Sequence, residues 1–458
     1  MSKAALMDSN LRPSCITGVS ICRSEVLVNM KTPPMTDTLD VVRLMGRSLG
    51  GFLTRPFSFD FGSVFCHWMR AVLERHQSRN VIVNLLGKKV LLVSGHDLSA
   101  HILSQYPCSH GYLEGQLKSK AMSFLAPNAL TICHDEQWQR LRAFTEQVLC
   151  AGETHIYQRA FLGIVRNAFS SPVSNVKDIR RRMGQAMLDI VFGDSRAPTH
   201  LAKDIEVLFG LVQSPVKRLA LGFREKGRRE KLYNTLRKMW EESKEDERSS
   251  LLSLAHKAAG KHDETELIQQ VPHWMFTFTG SGTGLLTRTL ALVTSRPAVR
   301  ARISSEIAEH GALDEPATIG RLAYLEACLL ESARLFSPVP RTFHRAPQGD
   351  TFNELYIPAG MEIAHYFPLN QRNHDKDPSA DHFQPDRWLD PASAAHAMYP
   401  NMFLSGARAC PGKNLILFVC KSAIAILLTE HNLQTESVLL AADPLPFSLP
   451  QKEIHFHM

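Results

Sequence analysis

Apolar positions along the chain alternate between two periods, and the changes of period mark out its elements. From about Phe61 to His76 the spacing of Val64, Phe65, Trp68, Val72 and Leu73 fits one face of a helix. Val81 to Val93 reads as a hairpin, two β-branched runs around Gly87-Lys88-Lys89. Residues 104–132 read as a loop, broken by Pro107, Gly111, Gly115 and Pro127. Helical patterns dominate from Asp135 to about Glu247, with interruptions at Pro215 and Gly222. Asp263 and Thr265 are start signals for a long helix over residues 266–295, which Arg296-Pro297 ends. Helices continue to Leu335. Residues 336–400 are proline-rich and strand-like in pieces, including Glu354 to Gly360. A final apolar run from Leu415 to Leu428 is long enough for a buried helix. The pattern is mostly α with small β-sheets, an α+β fold.

Residues 1–55 look different. Pro33-Pro34 and Gly50-Gly51 make them irregular, and charges at Lys3, Arg12, Arg23 and Lys31 leave no apolar stretch near 18 residues. No small-residue cleavage site follows an apolar core. The expectation is an N-terminal extension without a transmembrane helix, in a protein that is cytoplasmic or peripherally associated with a membrane.

Composition narrows the function. Hydrophobic residues make up 44% of 458, ample for a large core. A net charge of +7 is too mild for a nucleic-acid partner but suits docking of an acidic one. Nine cysteines form no CxxC pair, which points to a reducing compartment and free thiols.

Chemistry concentrates at Phe403-Leu404-Ser405-Gly406-Ala407-Arg408-Ala409-Cys410-Pro411-Gly412. Cys410 stands at the mouth of the last helix, where the dipole and backbone N–H groups stabilise a thiolate. Gly406 and Gly412 allow sharp turns and close approach to a flat ligand. A soft thiolate suits iron. The simpler alternative is a buried structural cysteine.

The spacing Phe-x-x-Gly-x-Arg-x-Cys-x-Gly, matched at every fixed position, resembles the ligand loop of the cytochrome P450 family of haem-thiolate monooxygenases. The order of elements resembles that fold over most of residues 56–458, implying one catalytic domain there. The haem would be buried between the long central helix and the Cys410 loop and helix. The resemblance implies heme b with Cys410 as axial ligand. Phe403, Gly412 and Arg408 would lie against it, with Trp138 and Arg142 of a Trp-x-x-x-Arg match and Arg345 as donors to its propionates. It implies a structural triad of Glu331, Arg334 and Arg387.

On the other side of the haem the resemblance places Gly280, Gly282 and Thr283, within Phe278-Thr279-Gly280-Ser281-Gly282-Thr283-Gly284. Three glycines in one helix cost about 1 kcal/mol each relative to alanine, and close approach to a ligand would compensate. Thr283 is expected to bond back to a carbonyl one turn earlier. A loop over 279–284 is the alternative. The family usually has an acidic residue directly before this threonine, and this chain has Gly282. Protons would then travel by Thr283, Ser281 and water.

The leading reading is a monooxygenase that inserts one atom of dioxygen into an apolar or semi-polar small molecule, in a biosynthetic pathway. Electrons would come from NADPH through a separate reductase, docking near Arg140, Lys413 and Lys421. The substrate would meet residues 104–130, Leu208 to Leu221, Phe276 to Gly280, Val339 to Phe343 and Pro444 to Leu449. A haem-thiolate isomerase, dehydratase or peroxide-dependent enzyme is the second reading, and a non-catalytic haem protein the third.

Overall fold

The computed structural model describes residues 31–54, 61–85, 87–193, 198, 200–213, 215–244, 248–374, 376–393, 395–396, 403–450 and 454–458. The first thirty residues, part of the N-terminal extension, lie outside the described residues.

Two helices form the centre. One runs as Glu264–Ile268, Gln270–Thr277 and Thr283–Thr294, joined by a π-helical turn at Phe278–Gly282. The other is Lys413–Glu430. Both carry apolar residues on all sides of their second halves, the signature of a helix with no solvent face. Accordingly Leu286, Leu290 and Val293 share one core with Val419, Ile424 and Leu427, and with Phe161 and Val165 of helix Gln158–Phe169. Helix Ala323–Leu335 packs on both central helices and is buried from Leu329 to Leu335.

A five-stranded sheet flanks this bundle, in the order β1 (Asn80–Leu85), β2 (Lys88–Val93), β7 (Glu362–Tyr366), β4 (Arg341–Arg345) and β3 (Leu113–Glu114). Only the β2–β7 pair is parallel, with Val90 opposite Glu362 and Val93 opposite His365. In the β4–β7 pair Arg345 faces Glu362, and β3 places Glu114 opposite His344. β5 (Asp350–Phe352) and β6 (Leu355–Ile357) form a separate hairpin.

Helix Phe61–His76 and the β1–β2 hairpin fall where the periodicity puts them. Two expectations need correction, and one alternative falls away. Residues 38–54 of the supposedly irregular extension form a helix, started by the Asp37 side chain, which accepts the Asp40 N–H at 2.7 Å. Gly51 falls in its last turn and Gly50 directly before it, near the end where a helix tolerates glycine best. Residues 104–132 contain helix Gln116–Leu125. Its cap is remote from it in sequence: the Glu362 carboxylate accepts the Gln116 N–H at 3.3 Å from each oxygen. The long helix expected over residues 266–295 is present, and the loop alternative at 279–284 is not: the glycine cluster widens one turn into the π form instead of breaking the rod.

Among the described residues no helix is long and apolar enough to cross a membrane. The seven described cysteines are free of disulfides.

Candidate active site

The Cys410 loop is held from several sides. The Cys410 N–H donates to Phe403 O at 2.7 Å. Leu404 and Gly406 both take positive φ, 60° and 58°. A Cβ on Gly406 would fall 2.5 Å from the Cα of Ser104, so glycine is required there. Arg142 donates to Ala409 O at 2.7 Å and to Glu146 at 2.6 Å. Cys410 is deep in the protein, yet its surface is partly open. Burial pushes its thiol up, while the Gly412 N–H and the cations Arg142 and Lys413 pull it back. That balance favours a thiolate once a metal supplies positive charge.

Glu331 and Arg334 form a two-pronged pair at 2.8 Å in each arm, with neither side chain exposed (0% each). Glu331 also accepts from Arg387 Nε at 3.1 Å, Trp388 Nε1 at 2.9 Å and the Gln384 N–H at 3.0 Å. Arg334 spends its remaining donors on the carbonyls of Gln371, Ala380 and His382. The three residues of the expected triad therefore meet, and they bind helix Ala323–Leu335 to the segment before the cysteine loop. Asp386 points elsewhere, to Arg302 at 2.6 Å.

The central helix shows which face looks inward on open space. Between Leu267 and Thr287 the residues with accessible surface are His273, Phe276, Thr277, Thr279, Gly280 and Ser281. Positions 273, 276, 277, 280 and 281 share one side of a helix. A Cβ at Gly280 would meet nothing within 4 Å, so this residue opens onto free space. The ligand helix packs beside this stripe: a Cβ at Gly412 would lie 3.5 Å from the Phe278 ring.

Gly282 and Thr283 lie off the stripe. A Cβ at Gly282 would lie 2.6 Å from Ile416 Cδ1 and 3.4 Å from Met183 Cε, so its hydrogens face packed side chains. Thr283 is buried and its hydroxyl has no partner. The back-bond expected of Thr283 is made instead by Ser281 Oγ, which donates to Thr277 O at 2.6 Å, and by Thr279 Oγ1 to Met275 O at 2.6 Å. The π turn carries this difference, because it shifts which positions face inward beyond it.

Of the expected cofactor donors, Arg142 lies beside Cys410 but is occupied by Ala409 and Glu146. Its guanidinium also lies 5.9 Å from the Trp138 ring centre. Arg345 and Arg408 each keep a buried Nε with no partner. Arg408 donates to Glu114 at 3.1 Å and to Tyr112 O. Glu114 in turn holds Lys118 at 2.8 Å. The sequence reading missed Glu114, because its partner Arg408 is remote in the chain and nothing local marks it. It also missed Arg372, buried under Phe336 and Phe447, which donates to Leu335, Leu445 and Pro446. Arg372 thereby ties down the segment expected to close the pocket. Lys421, expected as a docking charge, is buried and bound to Glu326 at 2.8 Å, whereas Lys413 is exposed.

These residues fit an iron porphyrin. One soft sulfur is backed by an amide N–H, two guanidinium groups each keep a buried Nε–H free for a carboxylate, and a helix wall lacks a side chain at Gly280.

A family model described as Cytochrome P450 matches residues 75–458. Cytochrome P450 monooxygenase 91 of Postia placenta is 28% identical over 218 residues, 41% of this chain and 40% of that protein. Cytochrome P450 monooxygenase cpaH of Aspergillus oryzae is 37% identical over 123 residues, 25% of this chain and 23% of that protein. The matches thus span well under half of those relatives. A solved structure of retinoic acid bound cyanobacterial CYP120A1 superposes with a TM-score of 0.72 at 19% identity, covering 93% of this chain and 99% of that one.

Proposed function

Since the chain belongs to the cytochrome P450 family, we propose that it is a haem-thiolate monooxygenase, inserting one oxygen atom of dioxygen into an apolar or semi-polar small molecule. The observation that supports this reading is Cys410, deep and partly open in a loop held by Arg142, in a chain whose central helix is bare at Gly280. When bound through Cys410 Sγ, heme b supplies the oxygen chemistry, with electrons from NADPH through a separate reductase. Arg345 and Arg408 would hold its propionates, and Arg142 positions the cysteine loop.

This chain's own residues set the rest. Gly280 leaves room against the flat face. Ser281 Oγ is a hydroxyl on the open stripe beside Gly280; it donates to Thr277 O, and turned inward it can relay a proton, passing its own to the cavity as it takes one from a bound water. Gly282 and Thr283 support the helix through packing in this reading. Phe209 and Phe276, with ring centres 4.5 Å apart, give the wall an apolar surface that excludes water. Exposed Lys413 is a docking charge for the reductase. A biosynthetic role in secondary metabolism is part of the proposal, supported by the fungal monooxygenases among the relatives.

Peripheral contact with a membrane, such as that of the endoplasmic reticulum, belongs to the same reading. Leu219 and Phe223 are 91% and 95% exposed, and Leu39, Val42 and Met45 project from helix Thr38–Thr54. A second reading, an isomerase, dehydratase or peroxide-dependent enzyme, is favoured by the lack of a carboxylate on the stripe. Oxygen uptake decides between them: with reductase and NADPH, consumption in step with substrate supports the monooxygenase. For the ligand, Cys410→Ala is expected to abolish the thiolate-type band of the reduced carbon-monoxide complex, and an unchanged band would remove Cys410 from that role.

A further inference from the structure

His273 is the most polar residue on the open stripe and has no role in the site described above. It lies two turns before Gly280 on the same face, which at 1.5 Å per residue is about 10 Å along the axis. It sits deep in the protein, and its ring still has accessible surface. Nδ1 is buried without a partner. Nε2 is neither buried nor hydrogen-bonded, so it is the ring nitrogen that faces open space and is free to take a partner from a ligand.

Its surroundings say what kind of group. Burial, reinforced by the Lys118 cation, lowers its pKa to about 4, so the ring is neutral. A neutral imidazole offers one donor and one acceptor. Lys118 itself is engaged by Glu114 at 2.8 Å and has no lone pair to offer His273. The neighbouring stripe residue, Phe276, is apolar.

We propose that His273 is a specificity-determining residue that hydrogen-bonds an uncharged hydroxyl group of the substrate, setting it about 10 Å from the carbon presented at Gly280. This deepens the monooxygenase reading and rests on it. The substrate class is then an apolar skeleton with a hydroxyl remote from the oxidised position. A hydroxyl matches a neutral imidazole in either tautomer, whereas a carboxylate would need a charged partner that His273 does not provide.

The test uses the holoprotein and the spin-state shift of its absorption band. Matched probes are dodecane, 1-dodecanol and dodecanoate, and androstane with 3-androstanol. At least one alcohol is expected to bind roughly tenfold tighter than its hydrocarbon. His273→Phe should erase that ratio while leaving hydrocarbon binding intact, and His273→Gln should restore part of it. Alcohols that bind no tighter than hydrocarbons in both pairs, a ratio that survives His273→Phe, or tenfold preference for dodecanoate would each overturn the proposal. Failure of the haem reading would look different: the wild-type protein would lack the thiolate-type carbon-monoxide band.

Discussion

Glu331 and Arg334 face each other across two 2.8 Å hydrogen bonds with no solvent contact on either side chain. A buried pair of this kind contributes little net stability over an apolar substitute, but leaving one partner alone is costly. Glu331→Ala is expected to lose about 3–5 kcal/mol, read as the denaturant midpoint, and to yield protein with little bound haem. Wild-type stability in that variant would contradict the structural role of the triad.

The two candidate hydroxyls separate cleanly. Ser281 lies on the open stripe and Thr283 does not. Ser281→Ala should lower product per NADPH roughly tenfold and raise peroxide release, as expected for a lost proton donor. Thr283→Val fills the same volume and removes an unpartnered hydroxyl, so coupling should stay near wild type. The reverse pattern would return the proton-handling role to Thr283.

Glycines 280 and 282 also predict opposite outcomes. Gly282→Asp would drive a carboxylate into Ile416 and Met183, costing on the order of 3 kcal/mol or more. Gly280→Asp points into open space and should fold within about 1 kcal/mol of wild type. Thermal unfolding of both variants checks this; equal losses would mean that the two positions share one environment.

A pH dependence follows from the sheet. His344 on β4 and His365 on β7 stack edge to face at 4.9 Å, and His365 Nδ1 meets Ser99 Oγ at 3.0 Å. Burial, aided by the Arg408 cation, pushes His365 down to about 3 from its ordinary 6.5 and His344 well down as well. Between those values the unfolded chain binds protons that the folded chain refuses, so stability is complete above about pH 6.5 and falls as pH drops toward 3. The slope is up to about 1.4 kcal/mol per pH unit for each histidine. Replacing His365 by Phe should flatten the fall in denaturant midpoint between about pH 6 and 4, and parallel curves would rule out His365 as its source.

Membrane contact is open to a direct measurement. The double variant Leu219→Asp, Phe223→Asp removes two side chains worth about 1.5–3 kcal/mol each if fully buried in lipid. Its sedimentation with phosphatidylcholine vesicles should fall at least tenfold below wild type. Equal sedimentation would leave those residues without a membrane role.

Local pattern and local chemistry made much of this molecule readable. The Phe61–His76 helix, the hairpin and the Cys410 loop each follow from spacing within about twenty residues. The Glu331–Arg334 pair lies within one helical turn, and Arg387 was reached only through resemblance. What stayed hidden depends on distant partners. The helix at Gln116 is capped by Glu362, and Arg408 is gripped by Glu114, contacts that only the folded sheet creates. Thr283 comes from the resemblance, and the widened turn, which spacing does not announce, leaves its hydroxyl buried while Ser281 keeps accessible surface. Lys421 reads as an exposed cation in sequence because its counter-charge, Glu326, comes from another helix.

The wide turn at Phe278–Gly282 acts as a phase shifter. One surplus residue rotates the two halves of the rod relative to each other by about 100°. Deleting a single residue there would relax the coil to regular pitch and leave its length almost unchanged. It would also carry His273 and Phe276 around the axis, away from the hollow that they now border. A substitution alters one lining group at a time, whereas this one-residue deletion would exchange the whole lining at once.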